Sequence, residues 1–126
     1  MSQNRRQRVG KWGEAAAAKY LEARGYQVIA RNVRTTYGEI DLAARDETGA
    51  WVFVEVKTRT NSRYGYPEEA VDGRKLDHLI KSAEAFMAGQ PEEPGQSWRI
   101  DVIAVQGGPE DTMEHVWIEH FENIAA

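Results

Sequence analysis

Two carboxylates in one alternating stretch offer the clearest chemistry in this chain. Asp41 lies in Gly38-Glu39-Ile40-Asp41-Leu42, and Glu55 lies in Trp51-Val52-Phe53-Val54-Glu55-Val56-Lys57-Thr58. If the two runs pair, the acids face each other and want a cation between them. There is no Cys, and the three His (His78, His115, His120) form no metal-ligand spacing and read as incidental. Oxygen-only donors of this kind suit Mg²⁺ or Mn²⁺ better than zinc. The competing reading is a solvated acidic strand face, which is common in antiparallel sheets.

The local pattern says how the acids would be positioned. Val52, Val54 and Val56 alternate with Phe53, Glu55 and Lys57, and Ile40 and Leu42 alternate with Glu39 and Asp41. That is the period of strands with two different faces. A three-residue loop Glu47-Thr48-Gly49, with Gly in the left-handed position, would pair Asp46 with Ala50. Asp41 then lies opposite Glu55 and Glu39 opposite Lys57, while Leu42 meets Val54 and Ile40 meets Val56. Slipping the register by one would turn a whole apolar set outward. Opposed carboxylates about 5 Å apart repel by about 3 kcal/mol at an effective dielectric near 20. On that premise Glu55→Ala would remove a metal ligand yet leave metal-free stability equal or higher. The Glu39–Lys57 pair reads equally well as a plain cross-strand ion pair.

The elements around the hairpin follow in order. Residues 1–8 read as a basic flexible arm whose simplest role is solubility, ahead of a domain over 9–126. A helix is expected from about Val9 to Arg24, closed by Gly25, with Glu14 within about 60° of Ala17, Ala18 and Leu21 on its apolar stripe. An acid on that stripe faces the sheet; the alternative is an acid placed near a helix N-terminus by the dipole. Tyr26 to Arg34 reads as a strand, with Arg31 and Arg34 as phosphate contacts or ordinary solvated residues. The loop Thr58-Arg59-Thr60-Asn61-Ser62-Arg63-Tyr64-Gly65-Tyr66 interleaves basic and aromatic residues, a pattern suited to nucleic acid and also to a solvated loop. A second helix is expected from Pro67 to about Met87, with Lys75 off its buried stripe and able to reach a site rim. Strands at Trp98–Val105 and His115–Glu119 complete the chain; Asp101 reads as a structural hydrogen-bonder.

Composition narrows the class. The chain of 126 residues suits one domain with a real core. No apolar stretch approaches a membrane span and no signal-like apolar run follows the N-terminus, so a cytoplasmic protein is expected. Residues 1–63 carry twelve Lys/Arg against seven Asp/Glu, and residues 64–126 carry four against thirteen. The basic half holds the carboxylate hairpin, which favours an anionic substrate there.

The same residues carry a resemblance. A helix with Glu14, a strand with Asp41, a turn and a strand with Glu55-x-Lys57 resemble the PD-(D/E)xK nuclease superfamily, which includes restriction endonucleases and Holliday-junction resolvases. The words Gly13-Glu14-Ala15-Ala16, Gly25-Tyr26, Arg31-Asn32, Gly38-Glu39-Ile40-Asp41-Leu42, Phe53-Val54-Glu55-Val56-Lys57-Thr58-Arg59 and Arg99-Ile100-Asp101-Val102 resemble the YraN-like bacterial family more closely. One departure is Ile40, where the superfamily has Pro before the Asp; Glu39 ahead of it adds a further oxygen donor.

The resemblance implies an α/β fold, a restriction endonuclease-like mixed β-sheet of about five strands flanked by two main helices. It implies Asp41 and Glu55 as metal ligands for Mg²⁺ or Mn²⁺, with Glu14 completing the shell, and Lys57 as the residue that positions water or stabilises phosphate charge. The function expected is a metal-dependent endonuclease acting on DNA, branched or junction structures included. Nucleic-acid contacts fall to Arg31, Arg34, Arg59, Arg63 and Lys75, no membrane is involved, and a homodimer follows from the resolvase likeness. The rival readings are a non-catalytic nucleic-acid-binding module of the same fold and a protein-interaction module using the acidic second half.

Overall fold

The computed structural model describes residues 4–60 and 72–125. Its elements run α1 (Arg5–Ala23), β1 (Gln27–Thr35), β2 (Gly38–Arg45), β3 (Trp51–Arg59), α2 (Gly73–Ala88), β4 (Trp98–Gln106) and β5 (Trp117–Phe121). The strands form one mixed sheet in the order β1-β2-β3-β4-β5, antiparallel except for the β3–β4 pair. The expected five strands and two helices are therefore present, with the β2–β3 hairpin and parallel β4 at the centre.

Each helix covers one face. Ala16, Ala17, Ala18 and Leu21 of α1 pack with Leu42, Ala44, Val52, Val54, Ile103 and Val105. Leu79 and Ala83 of α2 pack on the other side with Ile40, Ala43, Trp51, Phe53 and Ile100. Three buried alanines keep α1 close to the sheet, whereas α2 meets a bulkier layer in which Phe86 stands edge-on to Trp51 and Phe53.

The β2–β3 turn forms as its residues dictate. Gly49 takes φ +89°, Asp46 N–H donates to Ala50 O at 3.0 Å, and Asp46 Oδ1 accepts from the Thr48 and Ala50 amides. The resulting register pairs Arg45 with Trp51, Ala44 with Val52, Ala43 with Phe53 and Leu42 with Val54. Over these four pairs it is the register expected from the loop and the apolar faces; the expected pairs Asp41–Glu55, Ile40–Val56 and Glu39–Lys57 do not form.

Three boundaries differ from expectation, the simplest being β5, which begins at Trp117 because Met113–His115 form a 3-10 turn. Arg5 to Arg8 belong to α1 rather than to a flexible arm, because Asn4 caps the helix: its side chain accepts from Gln7 N–H, and Gln7 reaches back to the Asn4 amide. That reciprocal pair satisfies two amides that would otherwise lack partners. At α2, Asp72 is the cap, accepting from Lys75 N–H at 2.9 Å. The expected helix start at Pro67 lies outside the described residues.

The helix–sheet distance near α1's midpoint depends on Gly13. A Cβ there would sit 1.9 Å from Thr58 Oγ1 on β3. Gly13→Ala should lower stability by about 1–3 kcal/mol through overpacking, although alanine is the better helix former. Chemical denaturation would measure it, and Thr58→Ala in the same chain should recover part of the loss; a more stable Gly13→Ala protein would show that α1 can stand off from β3.

Candidate functional site

The hairpin does not stay zipped to its open end. Pairing between β2 and β3 runs only from Leu42–Val54 to Arg45–Trp51, while β2 remains paired to β1 as far as Gly38, and β3 to β4 as far as Arg59. Beyond Leu42 the two central strands part. Asp41 fills the first vacant position: its Oδ2 accepts the Val56 N–H at 2.8 Å.

A second irregularity accompanies the parting. Ile40 and Ala43, three residues apart, both pack in the α2-side core, as do Ala30 and Val33 on β1. Both strands therefore turn over between these points, where Asn32 sits at φ +51°. Asn tolerates this left-handed conformation better than most residues. The expectation that Ile40 shares a face with Leu42 and Val56 is thus corrected: Leu42 packs with α1 and Ile40 with α2.

The parting leaves a cleft of about 890 Å³ lined by Arg5, Arg6, Val9, Gly10, Glu14, Asp41, Glu55, Val56, Lys57, Thr58, Arg59 and Thr60. Glu14 of α1, Asp41 of β2, and Glu55 and Lys57 of β3 share it. Asn32 ties in the last acid: with its amide NH₂ turned toward the carboxylates, it donates to Glu14 Oε1 and Glu39 Oε1, each at 2.9 Å.

Glu55 is 4% exposed and does not face Asp41 alone. Its Oε1 receives Lys57 Nζ from the same strand and Lys75 Nζ from the first turn of α2, both at 3.1 Å. The premise of two unrelieved opposed carboxylates is corrected accordingly.

Asp41 is in the opposite position. Burial first, then the charge of Glu55, with Glu14 and Glu39 adding, push its carboxyl up to about 7 against the Val56 amide that favours ionisation. Glu14 is raised as well, chiefly by burial, with Glu39 and Glu55 adding; the Asn32 bond and the charge of Arg31 oppose the shift. The cleft acids do not converge within 4.8 Å as a ready-made triple. Such a triple occurs elsewhere, at Asp101, His120 and Glu122.

That other cluster is occupied by protein donors. Asp101, fully buried, accepts from Arg99 Nε and the Asn123 amide on Oδ1, and from Arg99 Nη2 and His120 Nε2 on Oδ2. Burial works against its charge, but these bonds outweigh it and hold its pKa below the usual range. Arg99 also reaches Asp46 Oδ2 and the Tyr26 hydroxyl, and His120 Nδ1 lies 3.3 Å from the Tyr20 hydroxyl. With every Asp101 lone pair engaged, the cluster ties the β2–β3 turn, the end of α1, β4 and the C-terminal tail together. His120 is therefore a structural residue rather than an incidental one.

The remaining sequence candidates fall at different places. Arg59 lines the cleft and Arg31 acts on Glu14 at longer range. Arg34 lies 3.8 Å from Glu39 with its side chain 87% exposed. Arg63 lies outside the described residues. Sequence reasoning missed Arg5, Arg6 and Gly10 in the cleft wall, and Asn32 beside the acids; a helix capped by Asn4 would have brought Arg5 and Arg6 onto Glu14's helix, where Gly10 already lay.

Comparison with known proteins identifies the family. The chain matches the model of Uncharacterised protein family UPF0102 over residues 13–105. It belongs to that family. A UPF0102 protein of Symbiobacterium thermophilum is 52% identical over 103 residues, covering 82% of this chain and 86% of the relative. One from Roseiflexus castenholzii is 43% identical over 115 residues, with 89% and 92% covered. Among solved structures, a repair endonuclease from Pyrococcus abyssi aligns at TM-score 0.48 and 15% identity, over 86% of this chain and 41% of its own. An EndoMS–double-stranded DNA complex aligns at TM-score 0.46 and 18% identity, over 71% and 33%. This UPF0102 chain spans well under half of either. No helix among its described residues is long and apolar enough to cross a membrane.

Two outcomes follow from the cleft's charges. An Asp41 pKa raised from 3.8 to about 7 means the folded protein holds that proton more tightly than the unfolded chain. The cost of ionising it is absent below about pH 4, grows between there and pH 7, and is complete above. Without metal, Asp41→Asn, which can still accept from Val56, should raise stability on the order of 2 kcal/mol at pH 8 and leave it unchanged near pH 4. Thermal melts in chelator across that range would measure the difference, and equal melting temperatures at pH 8 would deny the shift. Glu55→Ala, in contrast, strands two ammonium groups and should lower metal-free stability by about 1–3 kcal/mol; urea unfolding that shows no loss would mean the lysines relax freely into water.

Proposed function

We propose that this UPF0102 protein is a divalent-metal-dependent endonuclease acting on DNA, with Glu14, Asp41, Glu55 and Lys57 as its catalytic set. The observation that carries this reading is the meeting of those four side chains in one cleft, where the central strands part. Asp41, Glu55 and Glu14 supply oxygen donors, and Glu39 is linked to them through Asn32. Burial and then the neighbouring acids raise Asp41, the acid excess makes the cleft receptive to a cation, and carboxylate oxygens suit Mg²⁺ or Mn²⁺. Such an ion would polarise a phosphodiester and lower the pKa of bound water.

The protein's own groups supply the rest. Lys57, beside Glu55, offers an ammonium to charge that grows on the phosphate during displacement. Glu55 orients that ammonium and Lys75 together, so α2 contributes a second positive group to the same edge. Asp41 is fixed by the Val56 amide and needs no rearrangement to present its free oxygen. Arg59, Arg31 and Arg34 support contacts to the phosphate backbone, as does Arg63. Branched or junction DNA as substrate and a homodimer as the working unit belong to this proposal through the likeness to junction resolvases, and a cytoplasmic location belongs to it from the pattern of the sequence.

One observation favours a second reading, a non-catalytic nucleic-acid-binding module of the same fold. Glu55 Oε1 already holds two lysines, and the cleft acids stand apart rather than as a tight triple.

Cleavage separates the two. Wild-type protein with Mg²⁺ or Mn²⁺ should cut at least one of single-stranded, duplex, flap and four-way-junction DNA, and Lys57→Ala should lose that activity by about 10²-fold or more while still binding. Binding without cleavage by the wild type would leave the module reading in place; loss of neither in the variant would remove Lys57 from the chemistry.

A further inference from the structure

One face of α1 enters the cleft, and apart from Glu14 its residues have no part in the chemistry just described. Arg6, Gly10 and Glu14 follow one another at intervals of four, so they lie on one side of the helix, one turn apart. Arg5 and Val9 flank them, and all five line the cleft. The stripe runs from the helix N-terminal turn straight to the acids.

The three parts of the stripe differ in a useful way. Arg6 is exposed and has no hydrogen bond or ion pair to the described residues, whereas Arg5 is held by Glu110 through its guanidinium. At Gly10 a Cβ would meet nothing within 4 Å, so the helix backbone itself forms the cleft wall there. Gly10 is not needed for packing, unlike Gly13 one turn on. A glycine inside a helix costs stability, so an open one in a cleft wall marks a place where a ligand's backbone can come close. At 1.5 Å per residue, Arg6 stands roughly 12 Å from Glu14 along the axis. On a nucleic-acid strand with phosphates roughly 3.4 Å apart along the helix axis, that is about three to four nucleotides.

We propose that the first two turns of α1 form a phosphate-tracking wall, with Arg6 contacting a phosphate about three to four nucleotides from the cleaved one and the strand lying against Gly10. The proposal rests on the endonuclease reading and deepens it. It makes the substrate an extended strand rather than a terminal nucleotide or a small phosphodiester, and it gives Arg5 a guiding charge that Glu110 restrains. Arg6 binds and positions; it does not touch the reacting atoms.

The test is equilibrium binding of fluorescent single-stranded and junction DNA in chelator, with wild type, Arg6→Ala and Gly10→Leu compared over a range of salt. Arg6→Ala should weaken binding roughly ten-fold near 0.1 M salt, equally across base sequences, and reduce the salt slope by about one. Gly10→Leu should weaken binding with the salt slope kept, because it obstructs the strand without removing a charge. Its melting temperature should be unchanged or higher, since leucine is the better helix former. In cleavage assays both variants should raise KM with little change in kcat, and oligonucleotides shorter than about four nucleotides should no longer distinguish Arg6→Ala from wild type. Wild-type binding that neither substitution weakens would overturn the wall and spare the endonuclease reading. Wild-type protein that binds no nucleic acid would overturn both.

Discussion

The parting of β2 from β3 at Leu42–Val54 is the constraint on which the rest of the site depends. Breaking a ladder in the middle of a sheet leaves buried backbone groups without partners, at about 1–3 kcal/mol each. Here the Asp41 carboxylate takes the place of the missing strand by accepting the Val56 N–H. The same bond that repairs the sheet fixes the side chain that the cleft requires. Had the strands stayed paired to Gly38, Glu14 on the α1 side and Glu55 on the α2 side would be separated by a continuous sheet. The gap lets both reach one space.

Two buried aspartates show how the fold distributes hydrogen-bond donors. Asp101 receives four bonds, two of them from Arg99, and is held below the usual range. Asp41 receives one, stands among three other acids, and is pushed to about 7. Burial raises both; the directions are opposite because the first has partners that outweigh burial and the second has acid neighbours that add to it. A carboxylate satisfied on every side can only hold structure together. One that is fixed by a single donor and left short of positive charge keeps the capacity to bind. The Asp101 network also ties down four segments away from the cleft.

Much of this was legible in the chain, and the limits have physical causes. Gly49 and its neighbours specify the hairpin loop, the loop specifies the register, and alternation specifies the faces as far as Leu42 and Val54. The face change at Ile40 was not legible, because alternation assumes a regular strand and a single Asn with positive φ breaks that regularity without altering the hydrophobic pattern. The cap at Asn4 was hidden by the arginines after it, which look like a solvated arm although arginine is a good helix former. Lys75 could be placed near a rim from its helix position, but its bond to Glu55 depends on where α2 begins, and Asp72 decides that.

Glu55 shows why a set of site residues does not by itself describe a site. An acid opposed to another acid is a strained, cation-seeking group; an acid bonded to two ammoniums is close to satisfied. Both descriptions fit the same four residue names, and only the position of Lys75 decides between them. A cation that uses Glu55 Oε1 must share it with Lys57 and Lys75, so its affinity reflects a competition rather than a count of carboxylates. That competition has a chemical consequence. Ammonium groups loosened from Glu55 are already at the edge of the cleft, where a bound phosphate carries the charge they have lost. On the proposed function, the arrangement would couple cation occupancy to the positive field offered to an anionic substrate, through the one Glu55 oxygen that Lys57 and Lys75 share.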